Sequence, residues 1–523
     1  MKVKSCLAAT TIFASIAGGV FSVPAPAFAA KTELVLGAAA ADIGSLDPHF
    51  ANNTSDRTVV GWIFGGLVRF APGSANPETI EPDLAERWES SEDKLSWTFH
   101  LRQGVQWQAG YGDVTADDVV FSLNKTKDPK RSAFSGDYTA FKTIEAIDPH
   151  TVKITLSRQV PSLLGLLTNY AGGFIISKKA YEERGEDFKR NPVGFGPFSV
   201  QSVTPGQAVT LVANETYFRG KPQITKVTYR FLPNNAARDL AFDAGELDAE
   251  AGVQDQQWVQ RITRNPAVIV DAFQPVELAL LHINVTKPPF NDIRVRRALA
   301  YAVDVPGIVK FIGPVVGQAP QSVIPSSNLG FTENAGVLKH DPAKAKALLK
   351  EAGFPDGLSV TMIASQLPGM ASVMQVIQAQ VAESGITLNL QPVEHASWHQ
   401  MIRKDLSPIV YYGAARFPVA DYYLTQFYHS ASAIGQPGQV TNFSHCSVAD
   451  KQIEAARTET DTSKQIELWQ EAQKLIVSNV CAIPIIETRT VWAHRNTVDW
   501  GYKFEGSMSL GPQITEKTRI KGQ

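Results

Sequence analysis

The chain of 523 residues carries 49 Lys and Arg against 51 Asp and Glu, a formal net charge of −2. Near-balance without a basic block gives a nucleic-acid partner no electrostatic support, so none is expected. An apolar content of 44% suits an ordinary globular protein, and so long a chain exceeds one hydrophobic core and calls for at least two domains.

Lys2 and Lys4 give a positive start, an apolar stretch runs from Leu7 to Val20, and Ala27-Phe28-Ala29 precedes a polar turn at Lys31. This is the layout of a secretory signal peptide, with cleavage expected after Ala29. A cut after Ala30 would put bulky Phe28 where a small residue is needed. The apolar run falls short of the about 20 residues of a spanning helix. Cys6 lies ahead of that run, so no lipid attachment at the cleavage point is expected. Loss of Lys2 and Lys4 leaves 47 basic side chains against 51 acidic ones. The exported chain keeps Cys446 and Cys481. An oxidising compartment permits a bond between them, but sequence does not show whether their Cα atoms approach closely enough. Two buried free thiols are the favoured expectation.

Further along, Thr32-Glu33-Leu34-Val35-Leu36 predicts an opening strand. Leu84, Ala85 and Trp88 are placed on one face of a short helix. Residues 96–101 and 151–156 alternate with period two, as half-buried strands do. Thr115 and Asp118 form a capping box for a helix. Gly194, Gly196 and Pro197 predict a rigid turn where the chain crosses between lobes. Pro342 opens a helix that stops at Gly353, and another helix spans Ser463 to Ser478. The mixture predicts an α/β protein of two large lobes.

Several motifs recur in one order. Leu46-Asp47-Pro48 and Phe64-Gly65-Gly66-Leu67-Val68 come first, then Pro82-Asp83-Leu84-Ala85-Glu86-Arg87-Trp88 and Phe99-His100-Leu101-Arg102-Gln103-Gly104-Val105. Thr115-Ala116-Asp117-Asp118-Val119, Pro192-Val193-Gly194-Phe195-Gly196-Pro197-Phe198 and Gly245-Glu246-Leu247-Asp248 follow. Asn291-Asp292-Ile293-Arg294-Val295-Arg296-Arg297-Ala298-Leu299 and Ala482-Ile483-Pro484 complete the series. Over nearly the whole exported chain, the sequence resembles the extracytoplasmic family 5 solute-binding proteins, which serve peptide, opine and nickel ABC importers.

The resemblance implies a two-lobed clam-shell of type II with an extra subdomain in lobe I. Expected divisions are a signal peptide over 1–29, lobe I over 30–72 and 192–286 with the subdomain at 73–191, lobe II over 287–488, and a return to lobe I over 489–523. The chain would leave lobe I near Asn284 to Pro289 and return near Ile485 to Thr490. A periplasmic monomer would close its hinge on a small-molecule ligand and deliver it to an inner-membrane ABC permease with its ATPase subunits. No cofactor is implied.

In peptide-binding members, an aspartate after a buried strand pairs with the peptide's amino terminus. Counting back from Asp421 places Arg416 at that position. The reversed charge would favour a carboxylate or phosphate, as in an opine, a sugar phosphate or an acidic peptide-like compound. In the alternative, Arg416 points to solvent or pairs with Asp421. Trp398 and Gly413 from lobe II, Asn442, Ser444 and His445 from a polar loop, and Asn52 and Asn53 from lobe I complete the candidate ligand contacts. Trp398 could equally be a core residue, and a polar loop could be an ordinary turn. His395 and His399 share a helix face, but no third ligand stands near in sequence and no metal is expected. A di- or oligopeptide binder, including a scavenger of such peptides, is the alternative within the binding class. A secreted hydrolase is the rival from another class. G-x-S-x-G, H-E-x-x-H and the P-loop pattern are absent, so nothing supports it.

Overall fold

The computed structural model describes residues 31–522 except 52, 162, 169–171 and 437–440. The signal peptide expected over 1–29 lies outside these residues. Among the described residues no helix is long and apolar enough to cross a membrane.

The opening strand Glu33–Ala38 runs parallel to Lys226–Phe231 and Ala249–Ala251, and all three belong to a nine-stranded sheet. Two long strands of that sheet, Val268–Ile283 and Ala482–Arg495, pair antiparallel from Val268↔Arg495 to His282↔Ala482. Phe273 belongs to the first lobe's apolar core. From Leu278 onward the same strand feeds two cores built mainly on residues of the second lobe, one of which also takes Phe70, Ala75 and Met508. The cores therefore change over between Phe273 and Leu278, earlier than the expected crossing near Asn284 to Pro289. The ladder slips there, between the pairs Phe273↔Thr490 and Glu277↔Thr488. Gln274-Pro275-Val276 fill the bulge, and Pro275 lacks the N–H that a regular ladder would require.

The strands expected at 96–101 and 151–156 form as Ser96–Leu101 and Thr151–Leu156, next to each other in a four-stranded antiparallel sheet. The helix expected around Trp88 is instead the edge strand Ala85–Ser90 of this sheet. Trp88 lies opposite Phe99 with the rings stacked, and this cross-strand contact outweighs the helical spacing. Helix Ala116–Lys127 begins at the expected capping box. This subdomain shares one apolar cluster with the main sheet of lobe I.

Leu46-Asp47-Pro48 owes its place to Lys125, which is wholly buried and paired with Asp47 at 2.9 Å. Gly194 and Gly196 do not cross between lobes. They pack against the carbonyl of Ile63, where a Cβ on either would collide, and Gly196 N donates to it. Cys446 and Cys481, expected as free thiols, are joined, with Cα atoms 5.9 Å apart.

Candidate functional site

A cavity of about 400 Å³ opens where the hinge strands meet lobe II. Glu277 and Thr488 contribute its hinge wall, and Tyr411, Tyr412 and Gly413 come from strand Ile409–Ala414. Helix His395–Ile402 supplies His395, Trp398 and His399, while Gln254 enters from lobe I. Trp398 is only 2% exposed and belongs to the lobe II core. It stacks on His395 at 5.4 Å and on Tyr412 at 6.0 Å, so one aromatic layer serves both core and cavity.

Gly413 has a specific neighbour. A Cβ built there would overlap Oε1 of Glu277, so the carboxylate lies across the glycine. Glu277 is open to solvent in the cleft, yet protein surrounds it closely enough for burial to raise its carboxyl above the usual range. The Arg416 guanidinium opposes that shift. Asp137, in the lobe I subdomain, is pushed up to about 6 by burial, again against the pull of Arg416. Arg416 therefore acts electrostatically on two carboxylates from different parts of the chain.

Arg416 is half-buried, three residues past Gly413 of the cavity wall, and is not itself among the residues that line the cavity. Its Nε donates to Gln426 Oε1 at 2.8 Å, one terminal nitrogen donates to the Ala415 carbonyl, and the guanidinium lies 5.6 Å from the Phe427 ring centre. Asp421 pairs with Arg457 at 3.4 Å, which removes it as a partner for Arg416.

The remaining expected contacts fall elsewhere. Asn442 is fully buried, its Nδ2 donating to the carbonyls of His429 and Cys446 and its Oδ1 accepting from Ser444 Oγ. Cys446 N in turn donates to Ser444 Oγ. His445 has a left-handed φ of 54° and turns toward Asp405 at 3.4 Å. These three brace the loop that carries the disulfide, and none lines the cavity. Asn53 is exposed at the start of helix Thr54–Ile63, and Asn52 lies outside the described residues. Among the described residues, His395 and His399 gain no third metal-ligating side chain.

Sequence reading missed Glu277, Asp137, Tyr411, Tyr412, Gln254 and Thr488. Glu277 carried a signal, as a lone acid directly after Gln274-Pro275-Val276 and before the apolar run Leu278-Ala279-Leu280-Leu281. A charge in such a strand is rarely left without a role.

Residues 79–434 match the model for bacterial extracellular solute-binding proteins, family 5 Middle. The chain belongs to this family. As a family 5 member it is the periplasmic binding component of an ABC importer, a transport protein and not an enzyme. The glutathione-binding protein GsiB of Salmonella typhi is 29% identical over 502 residues, covering 92% of this chain and 95% of the relative. Among solved structures, MoaA from A. tumefaciens R10 in complex with mannopinic acid is 68% identical, with a TM-score of 0.82, covering 94% of this chain and 100% of that one. AgaA from A. tumefaciens R10, in complex with agropinic acid, is 25% identical with a TM-score of 0.75 and covers 94% and 99%. These matches share the two-lobed periplasmic-binding-protein fold, and family 5 proteins of this kind deliver small-molecule ligands to ABC permeases.

Proposed function

We propose that this protein captures a small anionic opine in the periplasm and presents it to an inner-membrane permease and its ATPase subunits. Arg416 carries the anionic reading. It stands clear of Asp421 and three residues past Gly413 of the cavity wall, and counting back from Asp421 matches it to the aspartate of the family's peptide binders. A guanidinium there grips a carboxylate with parallel hydrogen bonds and repels a peptide's ammonium terminus. The 68% identity to a protein solved with mannopinic acid favours an opine over a sugar phosphate. The curated glutathione-binding relatives support a second reading, a peptide-like ligand, at the lower identity of 29%.

Trp398, Gly413 and Arg416 form the lobe II side of the ligand site in this reading, with Asn52 and Asn53 as candidates from lobe I. The signal peptide is removed after Ala29. The working form is a monomer whose lobe I comprises 30–72, the subdomain 73–191, the stretch from 192 to the bulge at 274–276, and 489–523. The reading is tested by a thermal-shift screen of the mature protein against mannopinic acid, other opines, sugar phosphates, dipeptides and glutathione. A rise in Tm with opines alone supports it. A rise with dipeptides or glutathione and none with opines replaces it with the peptide reading.

A further inference from the structure

An anion alone is poorly matched to the surroundings of Arg416. Asp137 and Glu277 both feel its charge, and neither carboxylate receives a hydrogen bond or ion pair among the described residues. Glu277 lines the cavity and Asp137 does not, so the cavity wall itself presents an unpaired carboxylate. A ligand that brought only carboxylates would add to its negative charge.

Glu277 also stands at the mouth of an aromatic wall. Trp398, Tyr412 and His395 stack in sequence on the lobe II side of the same cavity. An unpaired carboxylate exposed in the cavity wall suits a cationic nitrogen, and the stacked rings beside it offer apolar surface to that nitrogen's organic substituents. Glu277 directly follows the bulge at 274–276 and lines the cavity, and the missing side chain of Gly413 leaves room for its carboxylate.

We infer that Glu277, with the wall of Trp398, Tyr412 and His395, is a subsite for a protonated amine, so that the ligand is recognised as a zwitterion. Arg416 takes a carboxylate and Glu277 takes the nitrogen. The inference rests on the anionic reading above and adds the second charge to it.

The test is calorimetric titration of the mature protein and its E277Q, E277D and R416A variants. The probes are mannopinic acid, a secondary amine bearing two carboxylates, and its N-acetyl derivative, whose nitrogen cannot be protonated. Wild type is expected to prefer mannopinic acid by at least tenfold. E277Q should lose at least tenfold for mannopinic acid and little for the derivative, and E277D should retain part of the preference. E277Q binding both probes as wild type does, while R416A has lost affinity, overturns the subsite and leaves the anionic reading standing. Wild type failing to bind mannopinic acid overturns that reading and the subsite with it. Should E277Q prove unfolded by its Tm, E277D and the wild-type preference decide, and no preference in wild type overturns the subsite.

Discussion

The ring of Phe417, next to Arg416 in lobe II, fills the space that a side chain on Gly165 of lobe I would require. The same ring lies 6.0 Å from Phe70, another lobe I residue, and sits in a buried cluster that also takes Ala75 and Met508. The lobes therefore touch through an aromatic plug beside the candidate cation. Closure in this family is a hinge motion, and a ligand shifts the population only by binding the closed form better.

Gly165→Val should accordingly obstruct closure without emptying either core. The expected outcome is at least a tenfold loss of ligand affinity with a Tm of the unliganded protein close to wild type, read by calorimetric titration and thermal melting. Unchanged affinity would mean that the plug does not form in the liganded state.

A second prediction concerns the ion pair beneath Leu46-Asp47-Pro48. Lys125 Nζ donates to both oxygens of Asp47, to the Arg131 carbonyl and toward His49 Nδ1 at 3.2 Å. Burial first, and then the Lys125 charge, lowers His49 to about 4, so it is neutral at pH 7 and leaves the ion pair to Asp47 alone. Lys125→Met strands a buried carboxylate, which costs about 3–5 kcal/mol. Urea denaturation should show this loss, and a loss below about 1 kcal/mol would contradict the pairing.

Glu250 sets a pH dependence of the opposite origin. It is fully buried, both carboxylate oxygens lack a hydrogen-bond partner, and Arg238 Nε stays 3.8 Å away. Burial, followed by the Asp239 charge, pushes its pKa up to about 8. The folded protein thus holds a proton that the unfolded chain releases near 4.5. Its contribution is complete below that lower value and is lost as pH rises toward 8, at no more than about 1.4 kcal/mol per pH unit. Glu250→Gln, which resembles the protonated acid, should melt higher than wild type at pH 8.5 and nearly equal to it at pH 5. Parallel Tm–pH curves for the two proteins would refute this.

How much of this was legible follows from where each signal is stored. Period-two patterning over 96–101 and 151–156 is local, and both strands form as read. Trp88 misled because its partner Phe99 lies across a ladder, beyond the reach of helical spacing. Asn442 and Ser444 looked like ligand groups because a polar loop reads alike whether its atoms face a ligand or its own backbone. Only the fold shows that they bond to His429 and Cys446. Glu277 and Asp137 are 140 positions apart in sequence, and only the tertiary fold brings both under the influence of Arg416.

The disulfide yields the last prediction. Cys481 immediately precedes the return hinge strand, and Cys446 sits in the loop braced by Asn442, across a sequence separation of 35. A loop of that size restricts the unfolded chain by about 4 kcal/mol in the chain-entropy account. Reductant should therefore lower the Tm of wild type and leave a Cys446→Ser, Cys481→Ser double variant unmoved. Asn442→Ala should lower stability through the two carbonyls it leaves unpaired, by about 1–3 kcal/mol. Its ligand affinity, measured well below the melting range, should match wild type, because Asn442 lies outside the cavity wall. Should Asn442→Ala lose affinity at unchanged Tm, the loop would be a ligand contact after all, and the brace described here would be secondary.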